Sequence, residues 1–163
     1  MKLIAHRGLF NGPDKVRENL PEQIELAIAK GFDAEVDVWY HIDTGFMTGH
    51  DFPQYHVTLD WLNKPELWLH AKNLDALYLL SHEQTNPLHK PIRNVFWHEN
   101  DQHTLTSKGY IWTYPGVGTT PQNGILVMPE YVDDLISVDF SNLLLQSCYG
   151  ICSDYVQKIK DML

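Results

Sequence analysis

The apolar positions change period early in the chain. Lys2 to His6 (KLIAH) is a short apolar run that reads as a strand. Gly8 to Asn19 is a polar loop holding the turn signal Asn11-Gly12-Pro13-Asp14. The period then lengthens. Ile24, Ala27 and Ile28 recur at helical spacing, with Pro21 at the first helical position and Gly31 as a stop. Phe32 to Tyr40 (FDAEVDVWY) returns to strand alternation. Strand, helix and strand in that order form a β-α-β unit, so the two strands should run parallel.

The next connection, His41 to Gly45, is shorter than the dozen or so residues a parallel crossover needs. Phe46 to His50 should therefore return as an antiparallel hairpin. A turn centred on Thr44 sets His50 beside Val38 and Asp51 beside Asp37. Further strands are expected at Leu67 to Lys72, Asn94 to His98, Tyr110 to Tyr114, Ile125 to Met128 and Tyr149 to Cys152. Leu74 to His82, part of Asp133 to Gln146, and Tyr155 to Met162 read as helices. The connections Asn100 to Gly109 and Pro115 to Gly124 leave no room for a full helix. The pattern predicts one α/β domain over residues 1–163, a trimmed (β/α)8 TIM-like barrel with reduced helices. No glycine-rich phosphate loop follows the first strand, which argues against a dinucleotide-binding sheet.

Composition narrows the possibilities. The chain has 163 residues, short of the roughly 200–250 of a full barrel. Lys plus Arg is 12 and Asp plus Glu is 21, a net charge of −9, so phosphate backbones are repelled and nucleic acid is not an expected partner. No apolar run reaches the ~20 residues that span a bilayer, and the N-terminus reads as a strand rather than a signal peptide. Cys148 and Cys152 lie too far apart along a strand to bridge, so two reduced thiols and a cytoplasmic setting are expected. Uncovered strand faces leave room for a homo-oligomer.

Ionisable residues recur at the C-terminal ends of the expected strands: His6 and Arg7, Glu35 and Asp37, His70 and Lys72, His98 and Glu99, with His50 ending the hairpin. In a parallel barrel these ends converge on one mouth. Glu35 and Asp37, two apart, share a strand face and could hold a divalent cation through hard oxygens. The alternative is a charged face in solvent with Val36 and Val38 buried behind it. Two imidazoles can serve as base and acid near neutral pH. Arg7 offers a planar fork and Lys72 a point charge for phosphate oxygens. Trp112 is a candidate to pack against a substrate group, and Asp154 reads as a cap for the closing helix. Glu130, after a strand, is a lesser candidate to line the mouth.

Ile4-Ala5-His6-Arg7-Gly8, Glu18-Asn19, Gly31-Phe32-Asp33-Ala34-Glu35-Val36-Asp37-Val38 and Gly49-His50-Asp51 together resemble the glycerophosphodiester phosphodiesterases, of the phospholipase-C-like phosphodiesterase superfamily. Trp112-Thr113 and Gly150 to Tyr155 are weaker echoes of the family's late strands. The resemblance implies a barrel, a divalent metal, and a small-molecule phosphodiester substrate, with a place in lipid metabolism. It implies His6 and His50 as acid and base, Arg7 on the phosphoryl oxygens, Glu35 and Asp37 as metal ligands, and Glu18 as a first-loop residue that supports the site or touches the metal. The family's third metal carboxylate, two residues before a Lys, is replaced here by His70 of His70-Ala71-Lys72. An imidazole tilts the expected ion from Mg or Ca toward Mn or Zn; alternatively Glu99 or Asp51 completes the site. Two other outcomes stay open: a catalytically degenerate phosphate-binding barrel, and a phosphodiesterase acting on polymer-linked polyol or sugar phosphodiesters.

Overall fold

The structure is a computed structural model, and it describes residues 1–82, 93–115, 117, 122–131 and 148–163. Among the described residues, ten strands form one curled, half-barrel sheet of mixed α/β type with few helices. In chain order they are β1 (Lys2–Ala5), β2 (Asp33–His41), β3 (Gly45–Thr48), β4 (Tyr55–His56), β5 (Leu67–Ala71), β6 (Asn94–Phe96), β7 (His103–Leu105), β8 (Ile111–Thr113), β9 (Gly124–Val127) and β10 (Gly150–Ser153). The helices are α1 (Pro21–Ala29), α2 (Leu59–Leu62), α3 (Leu74–His82) and α4 (Val156–Met162). The expected helix within Asp133 to Gln146 and most of the Pro115 to Gly124 loop lie outside the described residues. Among the described residues no helix is long and apolar enough to cross a membrane.

Seven strands run parallel in the order β6-β5-β2-β1-β10-β9-β8. β2 is the hub. Ala34 pairs with both β1 and β5, and Val38 with both β3 and β5, so β1 hands one edge of β2 to β3 halfway along it. Both faces of these strands are buried, as parallel strands require. On the outer face Ala34, Val36, Val38, Leu67, Leu69 and Val95 pack against Ile24 of α1, Leu62 of α2, and Ala76 and Leu80 of α3. On the inner face Ile4, Trp68, Phe96, Trp112, Ile125, Val127 and Cys152 form a second cluster. Phe96 of β6 and Trp112 of β8 belong to opposite ends of the parallel run, yet their rings stack with centroids 4.5 Å apart. The sheet therefore curls strongly, and the Ser107 N–H donates to Val95 O on the β6 edge at 2.8 Å.

Three local expectations change. The hairpin register is Val38↔Thr48 and His41↔Gly45, two residues away from the expected pairing. Ile42, Asp43 and Thr44 form a three-residue loop closed by Thr44 N–H to His41 O, and Gly45 takes φ +74°, so the turn centres on Asp43. The Asn100 to Gly109 connection contains β7, an edge strand antiparallel to β8. Two short elements, β4 and α2, also fall where no element was expected; α2 is capped by the Thr58 side chain accepting from the Trp61 N–H. Cys148 and Cys152 are free thiols.

Candidate functional site

β2 carries the chemistry inward. Its even alternation puts Val36 and Val38 against the helices and Glu35 and Asp37 into the curl, where they are 3% and 1% exposed. The solvent-face alternative is thus excluded. His6, Arg7, Glu35, Asp37, His50, His70, Lys72, Glu99 and Trp112 line one cavity of about 190 Å³ at the C-terminal ends of the strands, together with His98, Tyr114, Pro115 and Val127. Glu18 does not line it but reaches its wall, accepting from Arg7 Nη1 at 2.8 Å.

Asp37 is the electrostatic centre. His70 Nδ1 lies 3.0 Å from its Oδ1, Lys72 Nζ 3.4 Å from the same oxygen, and Arg7 Nε 3.3 Å from Oδ2. Burial alone would raise its pKa, but hydrogen bonding and charge from His70, then Lys72 and Arg7, hold it well below the usual carboxylate range. Asn19 brackets the same residue: its Nδ2 donates to Asp37 Oδ2 and its Oδ1 accepts from the Asp37 N–H, both at 2.9 Å. Glu35 is raised instead, by burial and by the neighbouring Asp37 charge. One of its oxygens accepts from the Arg7 backbone N–H at 3.0 Å.

Arg7 is less free than a phosphate-gripping fork. Its Nη1 is held by Glu18 and its Nε faces Asp37 out of hydrogen-bond alignment. Arg7, Asn19 and Met128 are the non-glycine residues with positive φ, at +51°, +60° and +46° among the described residues. Arg7 follows β1, Asn19 lies in the loop before α1, and Met128 follows β9, so backbone strain concentrates in the segments around the site.

The two candidate acid–base imidazoles are each oriented through Nδ1. His6 Nδ1 meets Asp154 Oδ1 at 2.9 Å, and His50 Nδ1 meets Asp51 Oδ1 at 2.6 Å. Each leaves Nε2 as the working nitrogen. Burial pulls the His6 pKa down, but the Asp154 hydrogen bond and the Glu35 charge outweigh it, and the net shift is upward. His50 sits just past the end of β3. Gly49 precedes it at φ +148°, where a Cβ would stand 2.2 Å from Phe52 O. The Trp39 indole N–H donates to Gly49 O at 2.6 Å and closes this turn.

His70 is the third side chain of the cluster. Its Nε2 lies 3.1 Å from the His98 carbonyl, which only an N–H can satisfy. Its Nδ1 then faces Asp37, with Glu35 Oε1 at 4.0 Å, and needs either a second proton or a cation beside it. Ligand atoms of Glu35, Asp37 and His70 all lie within 4.8 Å of one another, so two oxygens and one nitrogen could hold a divalent ion. Asp51 is 75% exposed and paired with His50, and Glu99 is exposed on the rim, so neither joins this cluster.

One other expectation is corrected. Asp154 does not cap α4, which has no side-chain cap; it binds His6. Trp112, the candidate to pack against a substrate group, is 3% exposed, stacks on Phe96 and lies in the floor of the cavity. Glu130 lies behind the site, accepting from Ser153 and Asp154. His98 was only a strand-end residue in the sequence. Both its ring nitrogens are buried without partners, and burial with the nearby His70 lowers its pKa to about 4. Asp154 and Asn19 could be suspected from sequence only through the short Ser-Asp and Glu-Asn steps that contain them. Comparison of the chain with protein-family models, curated proteins and solved structures returned no match.

Proposed function

We propose that the chain is a metal-dependent phosphodiesterase of the glycerophosphodiester type on a trimmed (β/α)8 barrel. One observation carries this reading: His6, His50, Arg7 and Lys72 share a single polar cavity with the Glu35, Asp37 and His70 cluster. The curl of the sheet and the position of the site at the strands' C-terminal ends are what such a barrel supplies.

Glu35, Asp37 and His70 would hold the ion, which when bound supplies neutralisation of charge on the phosphoryl oxygens. Lys72 and Arg7 add positive charge on the same wall and orient the diester. His6, held above its ordinary pKa by Asp154, is the general acid: its Nε2 gives a proton to the alcohol oxygen as the P–O bond breaks. His50 is the base, its Nε2 taking the proton from the attacking oxygen of water or of a neighbouring substrate hydroxyl. The cavity, about 190 Å³, suits a phosphate and a small alcohol.

The test is turnover of bis(p-nitrophenyl) phosphate, glycerophosphodiesters and a teichoic-acid-like polymer, with Mg, Ca, Mn or Zn and with chelator. Metal-stimulated release of alcohol supports the reading, and the polymer arm separates small from polymeric substrates. Silence on every substrate in folded protein overturns it. A second reading, phosphate binding without turnover, draws on Asp37 already being matched by Arg7, His70 and Lys72. Calorimetric binding of glycerol phosphate with no turnover would favour that reading.

A further inference from the structure

Glu130 is a half-buried carboxylate that the proposed chemistry does not use. It sits on the short turn Pro129–Tyr131 after β9, where Met128 swings the chain at φ +46°. Its Oε1 accepts from the Ser153 hydroxyl at 2.8 Å and from the Asp154 N–H at 3.0 Å. Its Oε2 is buried with no hydrogen-bond partner. A buried carboxylate oxygen without a partner is costly and calls for a reason.

The reason lies in what it holds. The β1–β10 ladder ends at Ala5↔Ser153, so the sheet does not set the direction of Asp154. α4 begins only at Val156. Between these two elements the backbone of Asp154 is fixed at its N–H by Glu130 and at its carbonyl by the Gly12 N–H, 2.8 Å away. The Ser153 hydroxyl, tied to Glu130, also accepts from the Tyr155 N–H at 3.0 Å. Glu130 thus clamps the step from which the Asp154 carboxylate reaches His6.

We propose that Glu130 is a positioning residue: it fixes the Ser153–Asp154 step, and through Asp154 the ring of His6. The proposal rests on the phosphodiesterase reading for its effect on rate, but not for its effect on the imidazole. The charged groups facing His6 are Asp154 after β10, Glu35 on β2 and the adjacent Arg7. Only the first is held by Glu130.

The experiment compares the full chain with Glu130→Ala, Glu130→Asp and Glu130→Gln. The His6 ring is titrated by NMR, and kcat and KM are measured against pH on bis(p-nitrophenyl) phosphate. Glu130→Gln keeps an oxygen acceptor and should match the parent. Glu130→Ala should move the His6 titration to lower pH and reduce kcat by roughly ten- to a hundred-fold with KM little changed. Glu130→Asp keeps the charge on a shorter arm and should shift both readouts the same way, so it decides the matter should Glu130→Ala fail to fold. An unmoved His6 titration in a folded Glu130→Ala or Glu130→Asp chain overturns the proposal, as does a Glu130→Gln loss equal to that of Glu130→Ala. Inactivity of the parent toward every substrate would overturn the phosphodiesterase reading alone, because the His6 titration still tests the clamp.

Discussion

His6 Nδ1 and Asp154 Oδ1 lie 2.9 Å apart across a sequence separation of 148 residues. The contact joins the first strand to the last, because β1 and β10 are neighbours in the sheet. It fixes the His6 tautomer and keeps the ring protonated to higher pH than usual.

Asp154→Asn should lower kcat by about a hundred-fold or more, since an amide can present the wrong partner to Nδ1. Because the folded pKa of His6 is raised, the stability from its charged form is present in full below the unfolded value near 6.5. It is lost as pH rises through the folded value. The Tm gap between parent and Asp154→Asn should therefore narrow with rising pH, as read by thermal melts in a buffer series. A gap that widens would contradict the assignment.

Metal binding should appear as stabilisation. An ion that binds only the folded chain adds about 2.7 kcal/mol at a hundred times its Kd, and chelator should reverse the rise in Tm. Mn or Zn should outperform Mg or Ca for the parent, and His70→Glu should turn the order toward the harder ions. No rise in Tm with any of the four ions would count against the cluster as a metal site.

Asp37→Asn should be strongly destabilising as well as inactivating. It leaves Arg7, His70 and Lys72 facing one another without their common counter-charge. Removing one partner of a buried ion pair costs about 3–5 kcal/mol, measurable as a fall in the urea midpoint. The lowered pKa of Asp37 means that its contribution persists above its unfolded value and is lost only as pH falls well into the acid range.

Gly49→Ala should disturb the His50 turn. The new Cβ meets Phe52 O at 2.2 Å, and φ is +148°. A cost of about 1–3 kcal/mol is expected, with kcat falling further than a remote substitution of equal cost. Urea titration and a kcat comparison with a destabilised α3 variant such as Leu80→Ala separate the two effects.

The inward set of β2 was legible because alternation needs only a strand and its neighbours, and Glu35 and Asp37 follow from period two. α3 matches its periodicity at both ends, Leu74 and His82. The hairpin register was less legible. Loop length restricts the turn, but the left-handed Gly45 decides where it centres, and the pairing moved by two residues. β7 escaped notice because a three-residue edge strand needs its partner β8 to exist.

Sequence alone determined the main parallel strands, helices α1, α3 and α4, and which ionisable residues stand at the strand ends. Those depend on local periodicity and on which side chains can ionise. Tertiary structure decided that Asp154 meets His6, that Asn19 brackets Asp37, and that Trp112 lies in the cavity floor against Phe96. The first depends on β1 and β10 pairing as neighbours, the second on the loop before α1 folding onto β2, and the third on the curl that stacks Phe96 on Trp112. No spacing along the chain encodes those contacts.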